Sequence, residues 1–303
     1  MQYNQNSYRN ITFLGLGVMG SAIAANLARA GAKSGYKVTA WNRTQDLHPG
    51  IEIAKTAGAS IAVSIREAVT DAEAIFTCLG DVPDVEEVLL GDRGVIQSAK
   101  TGALIVDMST IGRDAACHIS AQLSKQGLRF LDAPVSGGDV GAKNGTLTIM
   151  VGGDAADFAE CKPLFESIGK NIHLCGAVGS GQSVKLCNQV LVSTYMVGIC
   201  EAMLLAEQAG LDPELVVEVC GGGAAGSWAL SNLGMKVAQS DFQPGFMIKH
   251  MLKDLRLVQE SANDLPGVEL SDRLFKIVSQ LAGGSEQGTQ AMIRAYRESQ
   301  TPN

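Results

Sequence analysis

The feature that most narrows the possible folds is a turn of glycines wedged between a short strand and a helix. Asn10-Ile-Thr-Phe-Leu14 is a β-rich run, Gly15-Leu16-Gly17-Val18-Met19-Gly20 comes directly after it, and residues 21–30 form a helix of small and apolar residues. Such a glycine string alone is common, but in this setting each glycine has a task. Gly15 permits the tight turn, Gly17 lets backbone N–H groups approach a pyrophosphate, and Gly20 lets the helix pack on the strand. The anion then sits at the positive end of the helix. Residues Gly15, Leu16, Gly17, Val18 and Met19 are therefore expected to hold a dinucleotide.

The next strand, residues 37–41, should end near the adenosine ribose, where an NAD site usually places Asp or Glu. This chain has Asn42-Arg43-Thr44. A carboxylate would repel a 2′-phosphate, whereas a guanidinium and a hydroxyl can bind it, so the expected cofactor is NADP (NADPH). Asp46 lies close by, and a solvated loop arginine is the plainer reading of Arg43. A capping box, Ser64-x-x-Glu67, opens a helix. Strands at 74–79, 103–108, 129–132, 147–151 and 171–174 alternate with helices at 83–90, 113–126 and 155–168. That alternation predicts a mostly parallel sheet covered by helices on both faces. Ligands of such sheets bind beyond the carboxyl ends of the strands. The rule selects the glycine turn, residues 42–44, the loop that starts at Leu79, and Ser109-Thr110. Taken alone, Thr110 reads as a cap for the helix after it. Ser136-Gly137-Gly138 reads equally as a carboxylate cradle or as a tight turn.

Residues 179–210 then carry a single long helix, about 180–209, bracketed by Gly179, Gly181 and Gly210. Residues 186–200 have no charge and are apolar nearly all round, which predicts burial on most sides, between domains or between subunits. The uncharged run is shorter than the roughly 18 residues of a membrane span, so no membrane is expected. Lys185 shares a side of this helix with Asn188; by itself it reads as a lysine snorkelling from a buried helix end. Beyond it, Asp212-Pro213 starts a helix to about 220. A glycine link covers 221–226, Ser227 caps a helix, and a further helix is expected at 246–263, with Pro266 closing that segment. Helices at 271–282 and 287–297 complete the chain. No strand pattern appears after residue 180. The expected division is a dinucleotide-binding domain, 1–175, and an all-helical domain, 176–303.

Composition excludes several classes. The 303 residues include 46% hydrophobic and 18% charged positions, and a net charge of −7 leaves no basic patch for nucleic acid. Seven cysteines stand singly, without a C-x-x-C pair, and four histidines share no metal-ligand spacing. The polar start, MQYNQNSYRN, lacks the apolar core of a signal peptide. The expectation is a reduced, cytoplasmic protein without a metal.

Four motifs now stand in one order: GLGVMG from Gly15, DAPVSGG from Asp132, GSGQSVKLCN from Gly179 and KDLRL from Lys253. Over nearly its whole length the chain resembles the β-hydroxyacid dehydrogenase family, relatives of 3-hydroxyisobutyrate and tartronate semialdehyde reductases. The resemblance implies an α/β, Rossmann-like N-terminal domain, a long interdomain helix, an all-α C-terminal domain, and homodimers or homotetramers. It implies that Lys185 is the catalytic lysine, with Asn188 one turn on. It also implies that Ser136, Gly137 and Gly138 hold a substrate carboxylate and that Thr110 lies near substrate and cofactor. Phe246, Lys253 and Asp254 match the segment of glyoxylate and succinic semialdehyde reductases that closes over substrate and nicotinamide. Phe246 and Asp254, eight residues apart, are expected on one helical face; an exposed carboxylate beside Lys253 is the plainer reading of Asp254.

The chemistry implied is hydride transfer to a carbonyl carbon, with Lys185 donating the proton as general acid. Burial is expected to lower the lysine pKa toward neutrality. Two positions depart from the family pattern: residues 31–35 lengthen the connection to the second strand, and Gly80 stands where relatives often carry proline. Imine reductases share the architecture but typically replace the lysine. 6-Phosphogluconate dehydrogenases usually have a histidine–asparagine pair where this chain has Cys187-Asn188. A cofactor-binding protein without catalysis would need no lysine at 185. Among substrates, glyoxylate, succinic semialdehyde, tartronate semialdehyde and methylmalonate semialdehyde all fit, with the match at Phe246 and Asp254 favouring the first two.

Overall fold

The computed structural model describes residues 8–46 and 48–298, so most of the polar N-terminal stretch lies outside the described residues. Nine strands form one sheet: β1 (Asn10–Leu14), β2 (Lys37–Trp41), β3 (Ser60–Ile61), β4 (Ala74–Thr77), β5 (Leu104–Asp107), β6 (Arg129–Asp132), β7 (Val135–Ser136), β8 (Leu147–Gly152) and β9 (Gly169–Gly176). Their order is β3-β2-β1-β4-β5-β6-β8-β7, with β9 paired to β8. The strands from β1 to β6 are mutually parallel, because a helix intervenes at each crossover. β8 runs antiparallel to β6 and β7. The central strands are buried on both faces, which suits their near-continuous apolar runs.

Each face of the sheet has its own core. On one side Phe13 stacks on Phe76 with ring centroids 6.4 Å apart, and Phe165 meets Phe76 edge-on at 6.2 Å. On the other, Leu14, Ile75, Ile105, Leu89 and Phe130 pack together. The alternation of β-strand side chains sends Phe13 and Leu14 to opposite faces, so one short strand serves both cores.

Several elements differ from the sequence expectations. The first helix runs Val18–Ser34 and ends on Gly35 in the left-handed region, φ 83°, so the long connection at 31–35 is mostly helix. The helix Pro49–Thr56 and the two-residue β3 lie where no element is expected. Pro266 does not close a segment; it opens the helix Pro266–Gln280, where a missing N–H costs nothing at the first position. The preceding helix begins only at Ile248. In place of one terminal helix, two 3₁₀ turns precede the helix Ile293–Glu298.

The chain divides into two compact units, the first ending at Lys185 and the second beginning at Leu186, inside the long helix rather than at 175/176. The helix spans Ser180–Gln208 and ends as expected, on Gly210 at φ 67°. Its burial is not that expected. Gln182, Lys185, Gln189 and Ser193 are buried, whereas Val184, Leu191, Tyr195 and Leu205 are 42%, 51%, 42% and 67% exposed. At roughly 100° per residue these two sets lie on opposite sides. By length and composition the helix could cross a membrane; its buried side is polar at Gln182, Lys185, Gln189 and Ser193 and apolar at Leu186 and from Met196 on. The second unit is helical; among the described residues its only β-type pairing is the bridge Met247–Gly288.

The aromatic cluster should dominate the stability of the first unit. Phe76→Ala is expected to lower unfolding free energy by about 3–5 kcal/mol, read as a fall in the urea midpoint at constant slope. A loss below about 1 kcal/mol would show that the ring is not packed as described.

Candidate active site

The glycine turn has the stereochemistry a bound pyrophosphate requires. Gly15 has φ 98°, and a Cβ there would lie 2.4 Å from the Cys78 carbonyl oxygen. A Cβ on Gly20 would lie 1.9 Å from the Gly15 oxygen, whereas none of the chain approaches that position at Gly17 within 4 Å. Gly17 also stands at the start of the helix with no side-chain cap and no acidic residue in the first turn. Open space in front of uncapped N–H groups fits an anion. Leu16 N–H is already engaged by Asn42 Oδ1 at 2.9 Å, and Asn42 Nδ2 donates to Thr44 O at 2.9 Å. Asn42 thus ties the loop after β1 to the loop after β2. Arg43 Nη1 donates to Asp84 Oδ1 at 2.9 Å and Glu87 Oε2 at 3.3 Å. Leu79 N–H donates to Ser109 Oγ at 2.9 Å.

Two buried carboxylates stand side by side at the ends of β5 and β6, where Asp107 pairs in register with Asp132. Asp107 Oδ1 accepts from Thr77 Oγ1 (2.7 Å), Ser109 Oγ (2.6 Å) and Ser109 N (3.1 Å). Its Oδ2 is buried without a hydrogen-bond partner among the described residues. Burial pushes its pKa up to about 6, against these hydrogen bonds, with the Asp132 charge adding to the rise. Asp132 accepts the N–H of Gly179 at 2.6 Å and of Gln182 at 2.8 Å, so it caps the long helix. Burial raises it to about 6 as well, opposed by those N–H donors.

Gln182 completes this junction. Its Oε1 accepts the N–H groups of Ile111 (3.0 Å) and Gly112 (3.1 Å), and its Nε2 donates to Ser109 O at 2.8 Å. One side chain thereby brackets Thr110 from both sides. Thr110 is not a helix cap: the helix Arg113–Ser124 starts on Gly112, at φ 77°, without a side-chain cap. Lys185 lies three residues beyond Gln182 on the same helix face and is 7% exposed, so the snorkelling reading fails. Ser136 pairs with Thr148 across β7 and β8, and Gly137 and Gly138 take φ 128° and 63°, turning the chain into a helix, Gly138–Asn144. The sequence pattern there suggests only a loop.

The second unit holds the other expected residues. Asn188 Nδ2 donates to Gln189 Oε1 at 2.8 Å, and Gln189 Nε2 donates to Asp254 Oδ2 at 2.6 Å. Lys253 Nζ lies 2.7 Å from Asp254 Oδ1. Asp254 is 1% exposed, which corrects the reading of a solvated carboxylate. The helical spacing of Phe246 and Asp254 also needs correction, because Phe246 precedes the helix Ile248–Ser261. Its ring instead sits 6.0 Å from that of His250, and burial, with the charges of Lys249 and Lys253, lowers the His250 pKa.

Asp107, Asp132, Gln182 and Gln189 do not stand out in the sequence as site residues. Two of them carry a signal: Gln182, Lys185, Gln189 and Ser193 recur at helical spacing in an otherwise apolar helix.

Comparison with known proteins matches two family models. Residues 10–176 match the NAD binding domain of 6-phosphogluconate dehydrogenase, and 179–296 the NAD-binding region of NADP-dependent 3-hydroxyisobutyrate dehydrogenase. An uncharacterised oxidoreductase of Synechocystis is 55% identical over 290 residues, covering 95% of this chain and 98% of its own length. The 2-hydroxy-3-oxopropionate reductase of Escherichia coli is 39% identical over 287 residues, covering 93% and 95%. The solved structure of Mycobacterium tuberculosis 3-hydroxyisobutyrate dehydrogenase with L-serine superposes with a TM-score of 0.83 at 30% identity, covering 95% and 99%.

The buried aspartates give a pH dependence of stability. Asp107 holds its proton up to about pH 6 in the folded chain but loses it near 3.8 when unfolded. Its contribution is therefore full below about 3.8 and lost as pH rises through about 6. Asp107→Asn removes this loss, so the stability of the variant relative to wild type should improve by on the order of 1–3 kcal/mol between pH 4 and pH 8. Denaturant midpoints at the two pH values check it, and a pH-independent difference would refute it.

Proposed function

The chain belongs to the β-hydroxyacid dehydrogenase family, and on that premise we propose that it uses NADPH to reduce a short aldehyde or keto acid bearing a carboxylate to the hydroxy acid. Membership makes it an NAD(P)-dependent oxidoreductase of hydroxy acids. The observation that carries the finer reading is Lys185, buried one turn beyond the Gln182 bracket on Thr110.

The nicotinamide, when bound, supplies the hydride. Lys185 would meet the negative charge growing on the carbonyl oxygen and give that oxygen its proton, leaving a neutral amine; the reverse oxidation would use the amine as base. Asn188, one turn on, would orient the lysine or the substrate oxygen. Ser136, Gly137 and Gly138 would hold the substrate carboxylate, which fixes the carbonyl for transfer. In the second unit Lys253 would serve the cofactor and Asp254 the substrate, as the resemblance implies, and Asp254 is held by Lys253 and Gln189. Among the four substrates, the name of the E. coli relative draws the reading toward tartronate semialdehyde and away from glyoxylate.

The expected test oxidises NADPH and NADH against glyoxylate, succinic semialdehyde, tartronate semialdehyde and methylmalonate semialdehyde. NADPH with one semialdehyde should dominate. Lys185→Ala should lose about 10²–10⁴-fold in kcat while still binding NADPH. No reduction by wild type, or a variant as active as wild type, would sink the assignment.

We further propose a cytoplasmic homo-oligomer, with no membrane or nucleic-acid partner. Besides Val184, Leu191, Tyr195 and Leu205 on the long helix, Leu211, Leu215 and Val219 are 54%, 51% and 66% exposed. A surface of that kind is normally covered, here by a second copy. Light scattering should show a dimer or tetramer at micromolar concentration, and Leu191→Glu with Leu205→Glu should dissociate it. A monomeric wild type would overturn this.

A further inference from the structure

The adenosine end of the site carries a charge arrangement that the glycine motif does not explain. Arg43 lies just after β2, and Asp84 and Glu87 lie in the helix Val82–Leu90 that comes after β4. The strand order β2-β1-β4 puts the glycine turn between them. The ion pairs from Arg43 Nη1, 2.9 Å to Asp84 and 3.3 Å to Glu87, therefore bridge the two loops that flank the nucleotide turn. All three groups lie at the carboxyl edge of the sheet, where the adenosine of a dinucleotide belongs.

The arrangement is built. Asp84 Oδ2 accepts Asp81 N–H at 3.3 Å in a capping box, which aims Oδ1 at Arg43. A Cβ on residue 80 would fall 2.7 Å from Asp84 Oδ2, so Gly80 supplies the room this carboxylate occupies. The pairs are too exposed to matter much for folding, with Arg43 and Glu87 side chains 65% and 68% exposed. Their effect falls on whatever approaches the guanidinium.

We propose that Asp84 and Glu87 are specificity-determining residues, which hold Arg43 across the adenosine end and weaken its grip on a 2′-phosphate. The inference rests on the NADP reading above, in which Arg43 meets that phosphate. A phosphate monoester carries close to two negative charges at neutral pH. To reach Arg43 it must displace two carboxylates that stay within a few ångströms. A ribose 2′-hydroxyl meets no such repulsion. The chain therefore discriminates less sharply between NADPH and NADH than its arginine alone would dictate, and the discrimination depends on ionic strength.

The test needs no turnover. 2′,5′-ADP and 5′-AMP, which differ only in the 2′-phosphate, are titrated calorimetrically at about 50 mM salt into wild type, Asp84→Asn, Glu87→Gln, the double variant and Arg43→Met. The amide introduced by Asp84→Asn keeps an oxygen for the Asp81 N–H, so the capping turn survives. The affinity ratio of 2′,5′-ADP to 5′-AMP should rise about three- to tenfold in each carboxylate variant and further in the double variant. It should fall about tenfold in Arg43→Met, and the gains should shrink near 0.5 M salt. If Arg43→Met lowers the ratio while the carboxylate variants leave it within twofold, the carboxylates are bystanders and the proposal fails. If Arg43→Met leaves the ratio unmoved, or neither nucleotide binds, the proposal and the NADP reading fall together. A wild type that prefers 5′-AMP, reversed in the double variant, supports the proposal while overturning the NADP preference.

Discussion

One carboxylate fixes the start of the long helix. Asp132 ends β6 and accepts two N–H groups of the first helical turn, an N-cap reached from a strand distant in sequence. Side-chain caps normally come from the residue just before a helix; here the sheet itself supplies one. The helix start is packed correspondingly close. A Cβ on Gly181 would fall 2.3 Å from Met150 O, and one on Gly152 would fall 2.4 Å from Asp132 Oδ1. Those two glycines let β8 and the helix close on Asp132. Gln182 then transfers that fixed position to the end of β5 through three hydrogen bonds. Lys185, one turn beyond Gln182, is thus referenced to Thr110 through buried, directional contacts.

The same helix buries a polar stripe along its first half. Its buried stripe is polar because each amide on it has work inside: Gln182 on the β5 loop, and Gln189 on Asp254. Burying such groups unpaired would cost several times what a paired amide returns, so their partners have to be present in the same chain. The apolar residues of the stretch 186–200 are divided between a surface, at Leu191 and Tyr195, and the core, at Leu186, Met196, Ile199 and Cys200.

Much of this is legible in the residues alone. The ranges of β1, β2 and β6 come directly from β-rich runs bounded by Gly15, Asn42 and Ala133, and the glycine turn announces its own geometry. Motif order singles out Lys185, and the fold buries it. Two kinds of feature escape. Asp107 and Asp132 each end an apolar strand, where a lone acidic residue looks like a solvated strand end; only parallel pairing reveals that they face each other. Pro266 and Gly137-Gly138 look like breakers, yet a proline at the first helical position and two glycines at positive φ each introduce a helix. Breaker residues mark a change of structure, and only the tertiary setting decides whether a helix ends or begins there.

The carboxyl edge of the sheet divides into two regimes. At β5 and β6 the polar groups are buried, and the hydrogen bonds there interlock, so altering one displaces the others. At β2 and β4 the charged groups are largely exposed and meet as ion pairs, which rearrange at little cost. The reacting end of a dinucleotide would thus face a rigid frame and its adenosine end an adaptable one. Under the proposal that Arg43 and Asp84 set the cofactor preference, that preference would shift without moving Lys185. The two ends of one sheet edge are separable because burial couples polar groups and solvent decouples them.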